Sequence, residues 1–236
     1  MTRESAARAR RSLSRKLVTL SKQVNVLLDS MRARVEEEAA GSAGESALRL
    51  AGFEAFVRGL YDSQDTPVLG MGFLPNPKAL PDTAVRWWYH SSRQPDSRGG
   101  LRPLAVGLQP DAMDFYDTTS TEWWHRGATS EGPVVSGPFV DISGTNAYVV
   151  TFAQAVRLSE RLIGLVAADI TVATLQTLCQ NHLLDMPRPT SVISSEGMVI
   201  ATNAGALLGG VVEQEATAQG RSAPISGTSW YLTTAH

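Results

Sequence analysis

The chain has 236 residues, 43% of them hydrophobic and 19% charged, which is enough for one large domain or a domain with an appendage and excludes a low-complexity or collagen-like protein. Net charge is only −2, but residues 1–35 carry nine Lys/Arg against two acids, and the rest of the chain twelve against twenty-one. A basic arm thus precedes an acidic body; packing of the arm near that body or simple solvation is the plainer reading, and a nucleic-acid partner is not expected.

In chain order, residues 5–40 read as one long helix. Leu13, Leu17, Leu20, Val24, Leu27, Met31 and Val35 follow a 4-3-4-3-4-4 spacing, close to a heptad seam, with no Gly or Pro before Gly41. Such a seam must be buried, either along the chain's own globular part or against a second copy. A second helix is expected at about residues 45–60, then a Pro/Gly-rich connector, "DSQDTPVLGMGFLPNPKALPD", with no clear period.

From Thr83 onward the pattern changes to strands and turns. "AVRWWYH" and "LRPLAVGL" read as strands around the turn cluster "SSRQPDSRGG", followed by an irregular stretch up to Gly132 with short helical turns. "PVVSGPFVD", "AYVVTFAQAV" and "RLIGLVAADI" are three successive strands joined as antiparallel hairpins. "TVATLQTLCQNHLL" is a helix with Thr171 as N-cap, "TSVISSEGMVIAT" a hairpin turning at Glu196-Gly197, and "SGTSWYLTTA" a closing strand. This order describes an α+β fold in which a long N-terminal helix packs on a central antiparallel sheet, with the irregular segment on the other face and room for a cavity between.

Motifs for chemistry are missing. There is no G-x-G-x-x-G opening a helix, no H-E-x-x-H and no G-x-S-x-G, and His90, His125, His182 and His236 lack metal-ligand spacing. The one cysteine, Cys179, lies in an apolar periodic stretch and reads as core. No catalytic residue, metal or cofactor is therefore assigned. Glu122 is noted because a carboxylate beside a tryptophan can have a raised pKa. What stands out is aromatic density: Trp87 and Trp88 form one doublet, Trp123 and Trp124 another, with Phe115, Tyr116, Phe139, Asp141 and Tyr148 around the second. Aromatic walls with one or two carboxylates suit a small polar or cationic molecule; the alternative is that the rings only cover the open face of the sheet and bind nothing. Adjacent residues on a strand point to opposite faces, so one of Trp87 and Trp88 lines such a pocket and the other lies against the long helix.

The run from Tyr116 to Ile170 resembles the Cache family of small-molecule sensor domains, the PAS-like ligand-binding folds of bacterial receptors. The matching pieces are Tyr116 with "EWWH", then "SGPFVD", "VVTFAQAV" and "GLVAADI" leading into a helix, with "SSEGMVIAT" as the later hairpin. The resemblance implies a PAS-like sensor of signal transduction, not an enzyme, with a helical segment at 1–62 and a Cache-like domain at 63–236. In amino-acid-sensing members the motif is Tyr, Arg five residues on, then Trp and Tyr, with a later Asp. Tyr116, Trp123 and Asp141 match it, Trp124 replaces the second Tyr, and Thr121 stands where the Arg would meet a ligand carboxylate. Arg126 is nearby at the wrong spacing. The resemblance implies ligand contacts from Tyr116, Trp123, Trp124 and Asp141, with Tyr148, Trp88 and Asp169 as further candidates. Asp169 has a competing role as a cap of the helix that starts near Thr171, and that role is preferred.

The implied ligand is a small organic molecule, an amine or another small metabolite. A homodimer through helix 5–40 and a separate output protein are the expected partners. The second reading is a structural or interaction module that dimerises through that helix, an accessory to a transcription regulator. With no apolar run near the roughly 20 residues that span a bilayer, the expected location is cytoplasmic, or extracytoplasmic if the chain is a fragment of a receptor.

Overall fold

The computed structural model describes residues 3–41, 48–63, 65–90, 100–107, 113, 115–142, 144–204 and 222–234. The long helix is α1, Arg3–Gly41. Its seam residues Leu13, Leu17, Leu20, Val24, Leu27, Met31 and Val35 are all at most 3% exposed within the single chain. They belong to one core with residues of the strands Tyr148–Leu158 (β5) and Arg161–Thr171 (β6) and the helix Val172–Leu184 (α4). Of the two arrangements expected for the seam, it takes the first, along the chain's own globular part. Each such side chain contributes roughly 1.5–3 kcal/mol on burial, so peeling α1 off to pair with a second copy would forfeit on the order of 10 kcal/mol.

The helix expected at 45–60 begins later, as α2, Phe53–Ser63. Leu50 and Gly52 have φ of +48° and +76°, a turn that holds the chain out of helix until Phe53, whose N–H bonds the Leu50 carbonyl at 3.1 Å. The start of that expected helix, at 45–47, lies outside the described residues, as does most of the turn cluster at 91–99.

The connector contains a strand that sequence reading passes over: β1, Gly70–Pro75, buried at every position. It sits centrally in a six-stranded antiparallel sheet with β2 (Arg86–His90), β3 (Leu101–Pro103), β4 (Val134–Val140), β5 and β6, in the order β3-β2-β1-β6-β5-β4. A strand buried on both faces shows no polar alternation, and its two glycines imitate a loop. Gly72 is required here, since a Cβ would drive into the Arg86 carbonyl oxygen and come within 2.6 Å of Trp87 Cα.

Register assigns the faces. Met71, Trp88, Ala168 and Phe152 form one row across β1, β2, β6 and β5, and this row faces the helices. Gly72, Trp87, Ala167 and Ala153 form the next row, on the opposite face. That face is covered by α3, Glu122–Thr129, which belongs to the stretch expected to be irregular with short helical turns. The α+β reading therefore holds: a long helix on one face, the segment after Tyr116 on the other.

The last strands do not close this sheet. β7 (Thr190–Ile193), β8 (Val199–Thr202), β9 (Ser222–Pro224) and β10 (Tyr231–Thr234) form a second antiparallel sheet, in the order β8-β7-β10-β9. Trp230 ties it to the first through an edge-on contact with Phe152, ring centroids 6.0 Å apart. The hairpin turn at Glu196-Gly197 is where the sequence places it, with Gly197 at φ +81°. Cys179 is a buried core residue, and burial pushes its thiol up to about 12.

Candidate functional site

The site lies between the outer face of the first sheet and α3. Thr121 is the N-cap of α3: its hydroxyl donates to the Thr118 carbonyl at 2.7 Å and accepts from the Trp124 N–H at 3.4 Å. The cap sets the start of α3, so Trp123 and Trp124 swing inward, their ring centroids 6.0 Å apart and edge-on. Gly127 brings the helix close, because a Cβ there would lie 3.0 Å from Leu165 Cδ1.

Two cavities adjoin beneath this cover. The inner one is about 20 Å³ and is walled by Leu74, Trp87, Leu104, Tyr116, Trp123, Phe139, Asp141, Thr151, Ala167 and Asp169. The outer one is about 430 Å³, within the size range of ligand pockets. Tyr116, Trp123, Phe139 and Asp141 stand in the walls of both.

Asp141 follows β4, and its position is fixed by its own turn. Its Oδ2 accepts from the Thr145 N–H at 2.7 Å and from the Thr145 hydroxyl at 3.0 Å, while Oδ1 accepts from the Tyr116 hydroxyl at 3.3 Å. Burial, then the charge of Asp141, raises the Tyr116 hydroxyl above its ordinary value, so it serves as a neutral donor. Asp169 is on β6, opposite Thr151 of β5, whose hydroxyl donates to Asp169 Oδ1 at 2.6 Å. Burial pushes the Asp169 carboxyl up to about 8; the Thr151 hydrogen bond opposes the shift and Asp141 adds to it. Among the described residues, no Lys or Arg stands in either wall.

Of the sequence candidates, Tyr116, Trp123, Asp141 and Asp169 are brought together. Asp169 does not cap α4; the Thr171 hydroxyl does, accepting from the Thr174 N–H at 3.0 Å. Trp88 is on the wrong face, against Phe53 of α2 with ring centroids 6.0 Å apart, and its neighbour Trp87 takes the cavity wall. Trp124 is buried in the packing of α3 on the sheet and lines neither cavity. Tyr148 packs toward the helix-side core. Glu122 sits at the rim, its side chain 76% exposed. Arg126 does not replace the missing arginine, since it turns outward to Glu196 at 2.7 Å and Glu122 at 3.7 Å. Among the described residues, no group of three or more His, Cys, Asp or Glu could hold a metal ion.

Sequence reading missed Thr151 and Leu104, and also Glu196 and Met198, which line the outer cavity from the β7–β8 turn. Strand parity places Thr151 on the face of Ala153 and so could have found it. No local signal marks Glu196 or Met198.

Residues 87–177 match the profile of the first PDC sensor domain of methyl-accepting chemotaxis protein-like proteins. No curated protein matches the sequence. Among solved structures, the chain is similar to Methyl-accepting Chemotaxis protein X, with TM-score 0.70, 15% identity, and 98% of this chain and 95% of that one covered. It is similar to the ligand-binding domain of the Pseudomonas fluorescens chemoreceptor CtaA in complex with L-leucine, with TM-score 0.58, 14% identity and coverage of 95% and 89%. It is also similar to the extracellular domain of soHK1S-Z6, with TM-score 0.57, 13% identity and coverage of 98% and 95%. Sequence pattern, fold and profile agree: residues 87–177 resemble a PDC sensor domain, and the chain shares the fold of chemoreceptor ligand-binding domains.

Proposed function

We propose that this domain binds a small primary amine without chemical turnover, through Asp141 and Asp169 in the inner cavity, and signals its presence. The observation that carries this reading is a cavity of about 20 Å³ walled by two carboxyl groups and by the rings of Tyr116, Trp87, Trp123 and Phe139, with no cationic side chain among the described residues of its wall. A space of roughly 10–15 Å³ or more holds one water. A primary ammonium head is about that size, whereas a trimethylammonium head is several times larger. The carboxylates supply the charge-assisted acceptors and the rings a cation–π wall.

The amino acids in the CtaA titles carry a carboxylate as well as an amine. Here Thr121 is committed to capping α3 and Arg126 to Glu196, so neither is free to meet one. This supports amines over α-amino acids. Among the described residues no helix is long and apolar enough to cross a membrane. The shared fold with an extracellular domain supports an extracytoplasmic location in place of the cytoplasmic one expected from sequence. A separate protein or domain would read the bound state.

A thermal-shift and calorimetric screen of primary amines, α-amino acids and small carboxylates tests this. A primary amine should bind, and Asp141→Ala and Asp169→Asn should each abolish binding. Preferential binding of carboxylates, or amine binding indifferent to both substitutions, sinks the reading.

A further inference from the structure

The outer cavity is built by both sheets. One side is α3 and the end of β4, with Trp123, Phe139, Val140 and Ile142; the other is the β7–β8 turn, with Glu196 and Met198. Its walls are mainly apolar. Val140 and Ile142 leave 52% and 74% of their surface in water, although they border a chamber large enough to hold a hydrocarbon chain. The rim acids do not form a second free anionic site, because Arg126 bridges Glu196 at 2.7 Å and Glu122 at 3.7 Å.

We propose that the ligand is an elongated primary amine with an apolar tail, and that Met198 on the second sheet selects it by touching that tail. This rests on the amine reading above. The head occupies the inner cavity between Asp141 and Asp169. The tail passes Trp123 and Phe139, in the walls of both cavities, and ends against Ile142 on one side and Met198 on the other. A bound molecule then bridges the α3 cover and the second sheet, contacting both bodies of the domain at once. Short amines fill the inner cavity and leave the bridge unmade.

Titration calorimetry of the full chain with ethylamine, butylamine, hexylamine and 1,6-diaminohexane tests this, in the native protein and in Met198→Asp, Met198→Ser and Ile142→Ser. Affinity should rise about fourfold per added methylene, the worth of burying one CH₂, and hexylamine should bind more tightly than the diamine. The three variants should bind ethylamine like the native protein and lose most of the gain with length. Ile142 is largely exposed, so its variant keeps the test valid if a Met198 variant misfolds. Equal affinity at all lengths, an undiminished gain in the variants, or tighter binding of the diamine would overturn the assignment while leaving the amine reading intact. Binding of none of the amines would overturn both.

Discussion

Thr151 and Asp169 face each other in register on adjacent strands, and the Thr151 hydroxyl donates a 2.6 Å hydrogen bond to Asp169 Oδ1 beneath α3. The pair sets the electrical state of the inner cavity. Burial holds a proton on Asp169 up to about pH 8, and the hydroxyl is a counterweight that favours the ionised form. On the proposed reading, an arriving ammonium would supply the missing positive charge, and the proton would leave as the cation enters.

One consequence concerns stability. In the unfolded chain an Asp titrates near 3.9, whereas Asp169 in the fold titrates at about 8. Between these values the native state holds a proton that the unfolded state has released. The contribution of this group is therefore fully present below about pH 4 and declines as pH rises, at up to roughly 1.4 kcal/mol per unit, until about pH 8. Asp169→Asn keeps a neutral group of the same shape and has no such slope. Melting curves at steps between pH 5 and 8.5 should show the variant gaining steadily on the native protein. Parallel curves would show that Asp169 is ionised in the fold.

Ligand affinity should run the other way with pH. Below about pH 8, amine binding expels the Asp169 proton, so affinity climbs by up to tenfold per unit from pH 6 to 8 and then levels. Calorimetry in two buffers of different ionisation enthalpy should record release of close to one proton at pH 6.5. Thr151→Val removes the hydroxyl, raises the Asp169 pKa further, and shifts the rising limb to higher pH. A variant with native affinity throughout that range would show the hydroxyl to be structural only.

Asp141 is held by the geometry of its own turn. A Cβ on Gly144 would run into the Asp141 carboxylate, 2.7 Å from its Cγ. The carboxylate must turn away, losing its bonds from Thr145 and from the Tyr116 hydroxyl. Gly144→Ala should thus cost at least tenfold in amine affinity. It should change the melting temperature by only a few degrees, because the turn is at the surface. Unchanged affinity would mean that Asp141 does not contact the ligand.

The site was partly legible in the sequence because some of its residues belong to local patterns. Tyr116, Trp123 and Asp141 lie in short motifs whose order survives translation into one cavity. The antiparallel hairpin of β5 and β6 and the cap at Thr171 were readable for the same reason: alternation and capping are local. Asp169 was misassigned because its spacing to α4 imitates a cap, and only the pairing with β5 reveals Thr151 as its partner. Trp87 and Trp88 could be separated into opposite faces but not allotted to them, since that depends on where α2 docks. Glu196 and Met198 reach the outer cavity through the placement of a second sheet, which no periodicity encodes.

The strand hidden in the connector offers the sharpest test of the fold. β1 pairs with β2 and β6 on either side, so it joins the edge of the sheet to its centre. Gly72 lies in the row of Trp87 and Ala167, and an added methyl there meets backbone atoms of Arg86 and Trp87, which cannot rotate away. Relief requires β2 to move, and Trp87 moves with it out of the inner cavity wall. Gly72→Ala should therefore destabilise the protein by about 2–4 kcal/mol, in the range of overpacked or strained core positions, and abolish amine binding even where the chain still folds. Gly59→Ala is the matched control: it lies in α2 with open space at its Cβ. It should stabilise slightly, by up to about 1 kcal/mol, through helix propensity. Chemical denaturation of the two variants beside the native chain decides the point. A Gly72→Ala protein of native stability would mean that 70–75 is the loop its glycines suggest.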